Sequence, residues 1–272
     1  MSDIQKDYQK MWEDVGGDSG DSYLDIKFKP TYRIGLTNYL RENQIYDFLQ
    51  ANNNDVVLDI ACASGRQLFK IQDKIKTGYG LDIAKKFIDK AEEYKQKMGY
   101  QNLNFSVALI EDMPFENNFF NKIICAEVLE HVFDKDIALQ EVKRVLKPGG
   151  ILVISVPNMN ADATWWGRFL RKIGKRKFIS LEHFSQDELK KHGDSHVREY
   201  TKESLCNWLE ANGFSVVDIK SASFIDGPYM DWLLKVPLHT GFLRKLIINF
   251  EKYLTDKNYF YGRHLVLKAK KK

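Results

Sequence analysis

The sequence predicts an α/β fold, a doubly wound and mostly parallel sheet with helical insertions that form a cap. Three observations carry that expectation. Val57-Leu58-Asp59-Ile60 is a short apolar run containing an acid; the small residues Ala61, Cys62, Ala63, Ser64 and Gly65 follow, then a helical pattern from Arg66 to Ile71. Gly78-Tyr79-Gly80-Leu81-Asp82-Ile83 reads as a second strand whose acid, Asp82, falls 23 residues after Asp59. From about 55 to 156, strand and helix patterns alternate with short links, which right-handed crossovers turn into a parallel sheet.

Taken in chain order, residues 1–50 read as an N-terminal arm and capping helix, and residues 51–272 as the domain proper. The arm spans 1–22 and holds the loop Gly16-Gly17-Asp18-Ser19-Gly20-Asp21. Helical periodicity over 31–51 (Ile34, Tyr39, Leu40, Ile45, Phe48, Leu49) stops at Asn52-Asn53-Asn54. A helix from Ala84 to Lys97 follows the second strand. Lys122 to Ala126 is a strand, and Leu146-Lys147-Pro148-Gly149-Gly150 closes a helix before the strand Ile151 to Val156. A cap at Thr201 and a stop at Gly213 frame a further helix, and Phe214 to Ser221 is a strand. His264 to Ala269 is expected as an antiparallel edge strand, with Lys268, Lys270, Lys271 and Lys272 as a solvated tail. Two helical insertions, about 159–195 and 228–255, supply the cap.

Bulk composition narrows the function classes without choosing one. Hydrophobic residues make up 44% of the chain and charged residues 29%, ordinary for a globular protein, and the net charge is +4. Cys62, Cys125 and Cys206 lie in apolar contexts without metal-ligand spacing, so reduced thiols are expected. No apolar stretch has the length of a membrane span. With no signal-peptide pattern at the N-terminus, a cytoplasmic location is expected.

The turn after the first strand does not fit the dinucleotide fingerprint, which wants glycine where Ala61, Ala63 and Arg66 stand. It resembles motif I of the class I S-adenosylmethionine (SAM)-dependent methyltransferases, VLDxGCGxG, with alanine replacing glycine at 61 and 63. Glu111-Asp112-Met113-Pro114-Phe115 resembles that family's "DLPF" passage, and residues 146–150 its "LKPGG" turn. The resemblance covers roughly residues 50–222. It implies a seven-stranded Rossmann-like sheet and SAM as cofactor. Asp59, Ala61, Ala63 and Gly65 would shape the cofactor turn, and Asp82 with Ile83 would meet the ribose. Glu111, Asp112 and Met113 would border the adenine, where Leu109 replaces a common acid, and Glu127 would face the cofactor from the fourth strand.

Methyl transfer from a sulfonium needs positioning and, for a hydroxyl acceptor, a base. Glu127, Glu130 and His131 directly follow the fourth strand, and Glu130, His131 and His196 are the expected catalytic residues. Glu127-Val128-Leu129-Glu130-His131 also resembles the E-x-x-E-H metal element of ubiquinone-biosynthesis O-methyltransferases and small-RNA 2′-O-methyltransferases. A divalent ion on Glu127, Glu130, His131 and His196 is thus the alternative to the metal-free site expected here. His196 and Tyr200 could close over the acceptor or could merely cap and pack. The Trp165–Lys177 stretch mixes aromatic residues with cations and could touch a membrane surface or only the domain itself. The expected acceptor is an oxygen on a small molecule, a glycan or a lipid-linked intermediate. Nucleic acid is not the expected partner; an RNA 2′-O-methyltransferase and a non-catalytic SAM-binding module are the rivals.

Overall fold

The computed structural model describes residues 33–132, 134–162, 200–224, 241–257 and 262–272. Seven strands form one sheet: β1 Val56–Ile60, β2 Thr77–Asp82, β3 Leu103–Val107, β4 Phe120–Ala126, β5 Leu146–Pro157, β6 Phe214–Ala222 and β7 His264–Lys271. Their order is β3-β2-β1-β4-β5-β7-β6. Strands β3, β2, β1, β4 and β5 pair in parallel, and β7 runs antiparallel to both β5 and β6. The doubly wound sheet expected from the sequence is present.

Among the described residues the helices are α1 Arg33–Leu49, α2 Arg66–Ile71, α3 Lys85–Met98, α4 Lys135–Val145, α5 Lys202–Ala211 and α6 Gly241–Asp256. Two apolar clusters sandwich the sheet. One joins Ile45, Phe48 and Leu49 of α1 and Leu68, Phe69 and Ile71 of α2 to Val57, Val153 and Val266. The other joins Ala138, Leu139 and Val142 of α4 and Leu205 and Leu209 of α5 to Leu58, Ile123 and Leu267. Val57 and Leu58 feed opposite clusters because successive strand side chains point to opposite faces. Asp134 caps α4 by accepting from the amides of Asp136 and Ile137, and Thr201 and Ser204 form a reciprocal capping box on α5.

Two expectations about the end of the chain are corrected. Strand β7 is not an edge: it is inserted between β5 and β6, and β6 is the edge. Leu265, Val266, Leu267 and Ala269 are all buried, which only a strand flanked on both sides and covered on both faces achieves. The terminal lysines are not a solvated tail either. Lys268, Lys270 and Lys271 lie in β7, and the Lys271 ammonium donates to the Lys143 and Leu146 carbonyls at 2.6 Å and to Asn118 Oδ1 at 2.8 Å. Of the two insertions, only Met159–Asp162, a short 3-10 turn, and α6 lie within the described residues. The 165–177 stretch and His196 lie outside them.

Candidate active site

The carboxyl ends of β1, β2, β4 and β5 meet at one edge of the sheet, where open α/β sheets take their ligands. The turn after β1 is built from three left-handed residues, Ala61 (φ 53°), Ala63 (φ 46°) and Gly65 (φ 81°). It is held at several points: the Cys62 amide donates to the Leu81 carbonyl at 2.8 Å and the Gly65 amide to the Cys62 carbonyl at 2.9 Å. Asp82 ties this turn to the end of β2. Its Oδ2 accepts from the Ala63 amide and its Oδ1 from the Ala84 amide, both at 2.9 Å.

Alanine in the left-handed region costs about 1–2 kcal/mol, whereas glycine there gives up about 0.5–1 kcal/mol of unfolded-state freedom. Ala61→Gly and Ala63→Gly are therefore each expected to stabilise the fold by about 0.5 kcal/mol. Thermal unfolding of the single and double variants checks this; a lower midpoint in both would contradict the strain argument.

Beneath the turn, Asp59 is fully buried and neither carboxyl oxygen has a hydrogen-bond partner. Burial pushes its pKa well above the usual carboxylate range, Arg66 opposes the rise, and Asp82 and Glu42 add to it. Helix α1 brings Glu42, 1% exposed, over the start of α2, where it pairs with Arg66 and with Lys70. The neighbouring Arg41 reaches across to Glu127.

Glu127 ends β4 in a left-handed conformation (φ 57°), and its amide donates to the Ser155 carbonyl. Its carboxylate accepts from Ser155 Oγ at 2.5 Å and lies 3.4 Å from both Arg41 Nη1 and His264 Nε2. Three separate elements, α1, β5 and β7, thus converge on this one carboxylate. Glu127–His131 is a turn and not the helical turn its spacing suggested, closed by the His131 amide on the Val128 carbonyl at 2.8 Å. Glu130 is completely buried, both of its oxygens lack hydrogen-bond partners, and Oε1 lies 4.0 Å from His131 Nε2. Burial raises the Glu130 pKa well above the usual range, and the nearby Glu127 charge adds to the rise.

The remaining sequence candidates divide. Leu109 and Asp112 form a tight bridge in which Asp112 is exposed, while Ile110 and Met113 sink into the core. The Met113 backbone is clamped by Glu141 and Arg144. Tyr200 is 4% exposed, packs near Trp208 and donates its hydroxyl to the Leu129 carbonyl at 3.3 Å, so it packs against the 127–131 turn. Among the described residues no three His, Cys, Asp or Glu side chains gather closely enough to hold a metal ion. Glu127 turns toward Arg41 and Ser155, while Glu130 is buried with Oε1 4.0 Å from His131 Nε2. Sequence reasoning missed Arg41, Glu42, Ser155 and His264. The one signal available was an adjacent Arg–Glu pair on the N-terminal helix.

Residues 51–213, more than half of the chain, match a family model described as a methyltransferase domain. This chain belongs to the class I SAM-dependent methyltransferases. A ubiquinone biosynthesis O-methyltransferase of Paracidovorax citrulli is 31% identical over 141 residues, 52% of this chain and 58% of that protein. An uncharacterised Methanocaldococcus jannaschii protein is 29% identical over 240 residues, 84% of this chain and 90% of that protein. The chain spans little more than half the length of the first curated relatives it matches. A Haloferax volcanii methyltransferase solved in complex with the Trm112 methyltransferase activator shares the fold, with a TM-score of 0.62 at 17% identity over 97% of this chain and 96% of that one.

The residues of this methyltransferase fit its cofactor in kind. SAM carries an ammonium and a sulfonium cation, and the site holds two buried carboxyl groups, Asp59 and Glu130, without hydrogen-bond partners. A cation nearby would hold such carboxyls ionised against the penalty of burial. Asp82 stands where a ribose diol is held in related sheets.

Proposed function

We propose that this methyltransferase transfers a methyl group from SAM to an oxygen of a small molecule, a glycan or a lipid-linked acceptor, without a metal ion. Within that reading Asp82 and Ile83 hold the ribose and the Ala61–Gly65 turn the methionine end. Glu111, Asp112 and the Ile110–Met113 backbone border the adenine, and Glu127 orients the cofactor from the end of β4. The observation that carries the catalytic part is the Glu130–His131 pair directly after β4, a buried carboxyl 4.0 Å from an imidazole whose side chain is 14% exposed. The similarity to ubiquinone biosynthesis O-methyltransferases supports oxygen as the methylated atom.

When bound, SAM supplies an electrophilic methyl group on a positively charged sulfur. The acceptor hydroxyl must lose its proton as it attacks. Glu130, its pKa raised by burial and by the nearby Glu127 charge above the usual carboxylate range, lies 4.0 Å from the His131 ring. The His131 imidazole accepts the hydroxyl proton, and Glu130 orients the acceptor and the ring. His196 is the second residue proposed for the acceptor side.

Two variants test this reading through the transfer of labelled methyl groups from SAM to extract components, followed by identification of the product. Loss of a general base costs about 10²–10⁴-fold, so His131→Ala is expected to fall in that range. Glu130→Gln, which keeps the side chain's size and hydrogen-bonding atoms, is expected to lose less than about tenfold. Activity should persist in EDTA. Loss of turnover in EDTA with recovery on adding Mg²⁺ would overturn the metal-free reading, and full activity of both variants would remove the pair from the mechanism.

A further inference from the structure

Helix α6 carries an unusual outer face. Phe242 is 74% exposed, Leu246 49%, Phe250 52% and Tyr253 54%. Their spacing of four, four and three places them in a single stripe along a helix about 24 Å long. The opposite side is anchored, because Glu251 is 1% exposed and accepts from the Phe224 amide at 3.0 Å. The stripe is therefore the face that packing on β6 leaves outward. Isolated exposed apolar residues need no explanation, but four large ones in a continuous row do.

Among the described residues, lysines flank the stripe. Lys245 and Lys252 are exposed along one flank, and exposed Lys257 sits at the end with its ammonium 5.7 Å from the Tyr253 ring. The nearby acid, Asp256, is paired with Lys220 at 3.4 Å. A second copy of this chain docking face to face with its α6 antiparallel would bring the Lys245 and Lys252 flanks together. A helix with aromatic and aliphatic residues on one face and lysines beside them suits the interface of an anionic bilayer.

The position of α6 adds to this. Phe224, its anchor point, follows the carboxyl end of β6. Ser223 beside it donates to the Thr37 carbonyl of α1, the helix that carries Arg41 to Glu127. The stripe flanks the same sheet edge as the candidate active site.

We infer that α6 is a peripheral membrane anchor, seating Phe242, Leu246, Phe250 and Tyr253 in an anionic lipid surface with Lys245, Lys252 and Lys257 on the headgroups. The inference stands whether or not the acceptor reading above is correct.

Co-sedimentation of the full chain with phosphatidylcholine vesicles, with and without phosphatidylglycerol, tests it. Binding is expected only where phosphatidylglycerol is present, and should weaken as salt is raised. Phe242→Ser and Phe250→Ser should each weaken it about tenfold, without changing the thermal midpoint. Lys245→Glu with Lys252→Glu, which leaves the apolar stripe whole, should remove the preference for phosphatidylglycerol. Absence of binding to either vesicle would overturn the proposal, as would binding unchanged in both sets of variants. A wild-type dimer that the serine variants dissociate, with no vesicle binding, would show that the face joins two copies instead.

Discussion

Gly65→Ala is expected to cost about 3 kcal/mol of stability, the largest single-methyl effect at this site. Two independent penalties add. The backbone at 65 is left-handed (φ 81°), which disfavours any side chain by about 1–2 kcal/mol. The added methyl would also lie 2.6 Å from Phe105 Cε1, 2.7 Å from its Cζ and 3.0 Å from Phe69 Cε2. Phe69 cannot easily yield, because its ring packs against Tyr94, Tyr100 and Phe105 with centroids 4.8–5.8 Å apart. The obvious expectation for a glycine in a cofactor turn is that a side chain there blocks the ligand. Here the missing side chain would point into the core, so the defect should appear as a thermal midpoint lowered by roughly 10 °C in protein without cofactor. A midpoint within a degree of wild type would show that the turn and the aromatic cluster can relax.

Asp82→Ala is expected to weaken binding of S-adenosylhomocysteine at least about 100-fold, since each hydrogen bond to a charged partner contributes about 1.5–3 kcal/mol. The carboxylate is proposed to do two things at once. It would accept from the ribose diol, and it already accepts from the Ala63 and Ala84 amides, so it holds the turn that approaches the ligand. Calorimetric titration of the folded variant reads the first role and its thermal midpoint the second. Affinity equal to wild type would mean that the end of β2 does not meet the cofactor.

The contrast between these two residues shows how far the sequence could be read. Asp82 was legible because an acid closing a short apolar run has the same consequence wherever the run occurs: it stands at a strand end. Gly65 was legible as a turn glycine, but not the reason it must be one. That reason is Phe105, forty residues away on β3, whose ring lies close to Gly80 as well as Gly65. Ala61 and Ala63 were visible as departures from glycine, while their positive φ values could be known only from the folded turn. The Glu127–His131 spacing was compatible with a helical face. The chain instead makes a hydrogen-bonded turn over Val128–His131, with Glu127 drawn to Ser155 on β5 and Tyr200 supporting Leu129 from the far side.

Strand patterns, caps and the glycine turns depend on residues a few positions apart, so hydrophobic period and backbone preference suffice to locate them. These local signals carried the alternation from β1 to β5, the caps at Thr201 and Gly213 and the acids at the strand ends. Strand order is a different kind of quantity. A short apolar run such as Leu265-Val266-Leu267 within His264–Lys271 does not by itself name its neighbours, and its place in the strand order rests on pairing with β5 and β6, which lie far away along the chain. The same holds for the cluster around Glu127, whose partners Arg41, Ser155 and His264 carry no mutual spacing that periodicity could reveal. Charged side chains look alike in a sequence whether solvated or buried, and packing alone separates them: Glu42 is sealed against Arg66 and Lys70, while Lys245 of α6 stays in water.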